Sequence, residues 1–139
     1  MRLVYPAIFT PFEDAPGFTV LVPDLPGCVT GGDSLMEAID MGIDAASGWI
    51  LDEIESGNDF PTASNISDIE VPEGSFASLL TLDITAYAEK YGGKAVRRNV
   101  TVPAWLDTYA QKNDISLSRV LQDSLFEIAA HYNAKVVHS

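Results

Sequence analysis

Residues 94–107 read KAVRRNVTVPAWLD, and this stretch decides the fold of the last part of the chain. Up to Val102 the side chains are predicted to alternate between the two faces of a short strand. Pro103 suits the first turn of a helix, where its missing N–H costs no hydrogen bond. We therefore predict a strand that ends at Val102 and a helix that follows it directly.

Two amphipathic helices are predicted to complete this rear module, with the turn between them at Asn113-Asp114 and an N-cap at Ser116. The apolar stripes consist of Trp105, Leu106, Tyr109 and Ala110 in the first helix, and of Leu117, Val120, Leu121, Leu125 and Ile128 in the second. A unit of roughly 40 residues rarely folds alone, and its lone strand has an unpaired edge. We therefore predict a homodimer in which two rear modules pair around a two-fold axis.

The polar side chains of the predicted strand suit DNA, because a two-stranded ribbon fits the major groove. The predicted base contacts are Arg97, Asn99 and Thr101, which share one face of the strand. The first amides of the second helix would bind phosphate, with nearby basic side chains. The predicted phosphate contacts are Lys94, Arg98, Ser116, Leu117 and Ser118. Three polar residues on a strand are more often the solvent-exposed face of a hairpin. Here strand, proline, helix, turn and helix follow in order, and this order favours binding to operator DNA.

The charge of the chain is unevenly divided. Its net charge is −12, yet residues 1–75 contain 14 of the 20 acidic residues with Arg2 as the only base, a net charge of −13. Residues 76–139 contain six acidic and seven basic residues, a net charge of +1. This split predicts two partners of opposite charge.

The front of the chain is predicted to fold as βββαβα, which makes the whole protein α+β. Alternation predicts strands over residues 2–9, 18–22 and 28–30, and helical spacing predicts a long helix from Ser34, with Glu37 in a capping box, to Gly57. A long loop over residues 57–75 then precedes a strand from Phe76 to Asp83 and a short helix. We divide the chain into a front domain (residues 1–91), a linker (92–94) and the rear module (95–139).

Two family resemblances extend this interpretation. Residues 95–130 resemble the ribbon-helix-helix family of repressors, although Arg98 falls where that pattern usually has an apolar residue, so the register of the strand stays open by one residue. The front domain resembles the HicB family, the antitoxins of bacterial and archaeal HicA–HicB modules, many of which end in a ribbon-helix-helix. The stretches that carry this second resemblance are Tyr5-Pro6-Ala7, Gly17-Phe18, Pro23-Asp24-Leu25-Pro26-Gly27-Cys28, Gly31-Gly32-Asp33-Ser34 and Glu37-Ala38.

The HicB resemblance implies a partial ribonuclease-H-like front domain that binds a small basic HicA-type toxin, a ribonuclease that cleaves mRNA using a histidine. It also implies autorepression of the operon, and higher oligomers with toxin are possible. The acidic side chains along one flank of the long helix are candidates for binding the toxin, although such a run is as often only a solvated face. These candidates are Glu37, Asp40, Asp44 and Glu55.

Other functions are less well supported by the sequence. A stand-alone repressor with a ligand-sensing front domain is the alternative. Catalysis is not expected, because the first strand has no acidic residue and a ribonuclease-H-like nuclease needs converging carboxylates. No cofactor or metal is expected, since His and Cys do not cluster, and Cys28 is predicted to be buried and structural. The apolar stretches are too short for a membrane span and no leader is evident, so we expect a cytoplasmic protein.

Overall fold

The computed structural model describes residues 1–93 and 97–138, and the side chains of residues 1–93 and 97–129. Four antiparallel strands form one sheet in the order β3-β2-β1-β4. The strands are β1 (Arg2–Pro11), β2 (Phe18–Leu21), β3 (Val29–Gly32) and β4 (Phe76–Asp83). The helices are α1 (Leu35–Glu55), α2 (Ile84–Tyr91), α3 (Ala104–Lys112) and α4 (Leu117–His138). The predicted α+β class and the βββαβα order of the front domain are confirmed.

The core lies between one face of the sheet and α1. Alternate residues of β1, among them Tyr5 and Phe9, are buried there because strand side chains have a period of two. Gly42 lets α1 approach the sheet closely, since a Cβ at this position would lie 3.1 Å from Leu80 and 3.2 Å from Val20. The sheet and α1 therefore form the two layers of a self-contained domain.

Local sequence signals set the ends of α1. The Ser34 hydroxyl accepts a hydrogen bond from the Glu37 amide at 3.1 Å, and the Glu37 carboxylate accepts one from the Asp33 amide at 3.2 Å. At the other end Gly57 has a φ of +73°, a left-handed conformation that glycine adopts without strain. The predicted capping residues are confirmed.

The third strand extends further than predicted. It continues through Gly31 and Gly32, which we expected to end it. A Cβ at Gly32 would lie 2.4 Å from the Ala38 backbone nitrogen, so the strand contacts the first turn of α1 there. Gly32 thus serves close packing within the strand and does not terminate it.

The loop between α1 and β4 is packed against the rest of the domain. Phe60 is 5% exposed and belongs to the core, and the Tyr5 hydroxyl donates to the Pro61 carbonyl. A short 3₁₀ turn, Ile66–Asp68, contacts β4 further along. The predicted loop is therefore a fixed part of the front domain.

In the rear module the two helices form as predicted, whereas the described part of the predicted strand, residues 97–102, is not a strand. Residues 97–103 are irregular and exposed in this single chain, because a strand needs a neighbouring strand to bond its backbone. The α3 helix starts directly after Pro103. Ser116 caps α4, since its hydroxyl accepts a hydrogen bond from the Arg119 amide at 3.2 Å. The turn between the helices places Asp114 at a φ of +52°.

Candidate functional site

The predicted DNA-contacting residues lie on an exposed surface of the rear module. Arg97, Asn99 and Thr101 are all exposed in the irregular segment before α3, as is Arg98, so the single chain does not fix which of them share a face. Lys94 lies outside the described residues. The base-contact assignment therefore stays a prediction.

The start of α4 is open to solvent, as a phosphate site requires. Ser116, Leu117 and Ser118 are all exposed there. The Ser116 hydroxyl already caps the helix, and the Ser118 hydroxyl accepts a hydrogen bond from Gln122 at 3.1 Å. Backbone amides of the first turn, more than these hydroxyls, are left to face an anion.

The apolar stripes of α3 and α4 are uncovered. Ala110 is buried, but Trp105 is 69% exposed and Ile128 is 65% exposed. The remaining stripe residues are between 38% and 58% exposed, namely Leu106, Tyr109, Leu117, Val120, Leu121 and Leu125. Val100 and Val102, next to the predicted base contacts, are exposed as well. A continuous apolar surface of this kind marks a site of association.

The opposite side of α4 packs against the front domain. The Arg119 guanidinium lies 3.1 Å from both carboxylate oxygens of Glu89 on α2, and Phe126 contacts the core. A hydrogen bond from Thr85 lowers the pKa of Asp123, which lies between them on the same side of the helix. We did not predict this contact, although the spacing of Arg119, Asp123 and Phe126 along the helix is its signal in the sequence.

Two of the four acidic candidates on α1 already accept hydrogen bonds within the chain. Glu37 belongs to the helix cap, and the Glu55 carboxylate accepts a hydrogen bond from the Gly93 amide at 3.0 Å. Asp40 and Asp44 are exposed. Asp44 is the candidate that lies at a concave surface.

That surface is a cleft of about 320 Å³ between β3, α1 and α2. Asp44 and Asp52 both line it, and Tyr87 lies across Gly48, where a Cβ would be 2.9 Å from the Tyr87 hydroxyl. Burial raises the pKa of Tyr87, and Asp44, Tyr91 and Asp52 raise it further. We did not predict a role for Asp52, although its separation of eight residues from Asp44 places both on one side of a helix.

The turn after β2, residues 23–28, has a structural role. The Asp24 carboxylate accepts hydrogen bonds from the Ser64 amide at 2.9 Å and the Ser64 hydroxyl at 2.5 Å, which ties this turn to the long loop. The Pro26 carbonyl accepts a bond from the Trp49 indole at 3.0 Å. Cys28 is buried, as predicted, and burial raises the pKa of its thiol. The thiolate that a nucleophilic role needs is therefore disfavoured.

Within the described part of the chain, no group of three or more His, Cys, Asp or Glu residues is placed to hold a metal ion. A search of the described residues also finds no helix that is long and apolar enough to cross a membrane.

Comparisons with known proteins agree with the fold. The Burkholderia pseudomallei antitoxin HicB is 25% identical, with a TM-score of 0.57 over 91% of this chain and 98% of that one. A chain of a toxin-antitoxin complex from Streptococcus pneumoniae shares the fold at 22% identity, with a TM-score of 0.62 over 91% of this chain and 99% of that one.

Two sequence comparisons extend beyond the fold. An uncharacterized 14.9 kDa protein from the rep-hol intergenic region of Haemophilus phage HP1 is 34% identical over 107 residues, which is 75% of this chain and 76% of the phage protein. The family model of the HicB-like antitoxin of bacterial toxin-antitoxin systems matches residues 5–125. The chain therefore belongs to the HicB-like antitoxin family of bacterial toxin-antitoxin systems.

Proposed function

We propose that this antitoxin has two binding activities on the two parts of the chain. The front domain, residues 1–91, binds and neutralises a small basic HicA-type toxin that cleaves mRNA. The rear module, residues 95–139, dimerises as a ribbon-helix-helix and represses the operon by binding its operator. Both activities act in the cytoplasm, where mRNA and operator are found.

The observation that carries the rear activity is the uncovered apolar surface of α3 and α4. It adjoins an irregular segment whose valines are also exposed, so pairing two copies of this segment would create a ribbon and cover the stripes in one step. The ribbon would carry Arg97, Asn99 and Thr101 toward base edges. The amides at the start of α4 would face the flanking phosphates.

Toxin neutralisation is supported by family membership and by charge. Residues 1–75 have a net charge of −13, which attracts a basic partner and speeds its association. Co-expression with the product of the neighbouring small basic open reading frame tests this activity. We expect the two proteins to copurify and growth to recover. If neither happens, the chain does not neutralise that toxin.

Operator binding is tested by substitutions in the segment before α3. We expect Arg97→Ala to reduce operator affinity by about 1–3 kcal/mol with little effect on unrelated DNA, since it removes a base contact. Arg98→Ala is the matched control, which should weaken all sequences alike and flatten the salt dependence. A gel-shift titration at several salt concentrations separates the two. An unchanged affinity for the operator in Arg97→Ala would show that the register is wrong.

The alternative, a repressor whose front domain senses a ligand, has one observation in its favour. A cleft of about 640 Å³ lies between α1, α2 and α4, lined by Leu51, Ile54, Glu89 and Phe126 among others. A small molecule there would contact both parts of the chain. The test is to add the low-molecular-mass fraction of a cell extract to the protein in the absence of toxin. A change in operator affinity would favour this alternative.

A further inference from the structure

The third strand has an open edge. Among the residues that the structure describes, β3 pairs with β2 alone and ends the sheet on that side. Backbone bonds join Phe12 to Gly17 at 3.1 Å and Val22 to Cys28 at 3.0 Å. Bonded and non-bonded pairs alternate along an antiparallel ladder, so Thr30 and Gly32 bond to β2. The N–H and C=O groups of Val29 and Gly31 therefore face away from the sheet.

The two sides of this edge differ in chemistry. On the side of α1 lies the cleft that contains Asp44 and Asp52 with the rings of Trp49 and Tyr87. Val29 lines this cleft as well, but in the register it pairs with Leu21 on the opposite face of the sheet, where the two residues are 57% and 39% exposed. A strand added along β3 would thus place alternate side chains against carboxylates and against apolar carbons.

The negative charge of the cleft is not neutralised by basic residues of the described part of the chain. α1 contains six acidic residues and no basic one. In the part of the chain that the structure describes, the salt bridges join Arg119 to Glu89 and the Met1 amine to Asp123, so neither Asp44 nor Asp52 is paired. An ammonium or guanidinium group bound to either carboxylate would also lie near Trp49 and Tyr87, which line the same cleft. Aromatic rings attract cations, and carboxylates form strong charged hydrogen bonds with them.

We propose that an extended basic segment of the toxin adds a strand to the free edge of β3 and places basic side chains, arginine or lysine, against Asp44 and Asp52. This inference rests on the proposed toxin binding and names the surface that performs it. Main-chain hydrogen bonds at Val29 and Gly31 supply affinity, and the side chains on either side supply specificity. The recognised segment alternates basic and apolar residues.

A second copy of this chain would not fit the same edge. Pairing two β3 strands would bring two clefts of like charge together, within domains whose first 75 residues have a net charge of −13. Such repulsion costs affinity, whereas a basic segment removes it. Charge therefore selects the toxin over self-association at this edge.

Substitution of the two carboxylates tests the cleft. The full-length Asp44→Asn/Asp52→Asn variant is titrated with the toxin of the neighbouring gene, whose active-site histidine is replaced so that it can be produced. Glu70→Gln/Glu73→Gln is the matched control, with the same change of charge on the exposed loop before β4 at the opposite edge. We expect at least a tenfold loss of affinity for the cleft variant and less than a threefold loss for the control. Equal losses would mean that charge acts only at long range, and would overturn the site.

Amide hydrogen exchange tests the added strand. The Val29 and Gly31 amides should exchange freely in the unbound protein and at least tenfold more slowly in the toxin complex. The amide of Thr30, which bonds to β2, should be protected in both states. Free exchange at Val29 and Gly31 in the complex overturns strand addition.

The two proposals fail in different ways. A wild-type chain that does not bind the toxin overturns the proposed neutralisation and this inference with it. A wild-type chain that binds the toxin, with an unaffected cleft variant, overturns this inference alone.

Discussion

The front domain and the rear module are built from similarly apolar residues but bury them differently. In the front domain the apolar faces of the sheet and α1 cover each other within one chain, so that Phe9 and Ile50 are fully buried. In the rear module Trp105 and Leu125 remain more than half exposed. The front domain has two layers to enclose a core, whereas two helices and an irregular segment do not provide them. In a single chain the first region therefore encloses its core, and the second leaves its apolar stripes exposed.

The largest expected effect is in the front core. Phe9 is fully buried and stacks on Phe76 at a ring separation of 5.2 Å. We expect Phe9→Ala to lower the free energy of unfolding by about 3–5 kcal/mol, from lost burial and the cavity it leaves. Urea denaturation measures it, and the loss should not depend on protein concentration. Phe12→Ala, on a residue 36% exposed, is the control and should cost less than about half as much.

A smaller effect, with a different signature, is expected in the rear module. Leu125 is 56% exposed here and would be covered in a dimer. Leu125→Ala should weaken dimerisation by about 2 kcal/mol per chain and shift the sedimentation equilibrium toward monomer. Glu127→Ala, at an exposed position of the same helix, should leave the equilibrium unchanged. If Leu125→Ala lowered stability equally at all concentrations, the contrast between the two regions would be wrong.

A third substitution tests whether the long loop belongs to the front domain. Asp24→Ala removes both hydrogen bonds to Ser64 and should cost about 1–2 kcal/mol. Asp24→Asn keeps an acceptor and should cost less. Faster amide exchange over residues 60–65 in Asp24→Ala would locate the loss. An unaltered exchange pattern would mean that the other contacts of the loop, the buried Phe60 and the Tyr5–Pro61 hydrogen bond, are enough to hold it.

The smallest effect concerns the contact between the two regions. The pKa of Asp123 is lowered, so its ionised form stabilises the contact. This stabilisation is fully present above the ordinary carboxyl pKa of 3.8 and is lost as the pH falls through the lower value of the folded state. Asp123→Asn should remove this part of the acid dependence in unfolding curves measured between pH 5 and 2. An identical dependence in the variant would contradict the role of Asp123.

Structural features that depend only on residues close in the sequence can be predicted from it. Ser34, Glu37 and Gly57 act within one or two turns, so the ends of α1 follow from the sequence. The hydrogen bonds of Asp24 join residues 40 positions apart, and no local pattern indicates them. The segment before Pro103 differs from both. Its alternation is clear in the sequence, but the single chain provides no neighbouring strand for residues 97–102.

The candidate sites divide in the same way. The apolar stripes of the rear module follow from helical spacing, although their exposure in the single chain is visible only in the structure. The acidic flank of α1 was assigned as a row of four residues. In the structure Glu37 and Glu55 accept hydrogen bonds from backbone amides of the same chain. Asp52 joins the candidates, because only the fold brings β3 and Tyr87 to this part of the helix.

The two sides of α4, one packed against the front domain and one apolar and exposed, have a consequence for mutational tolerance. Arg119, Asp123 and Phe126 are used on one side, and the apolar stripe from Leu117 to Ile128 is on the other. On a helix of 3.6 residues per turn, Ser118 and Glu127 fall on the borders between these sides. In a saturation library of residues 117–128 that is selected for folding and dimerisation, and not for operator binding, we therefore expect these two positions to accept most amino acids. The others would be restricted, some by folding of the single chain and the rest by its association.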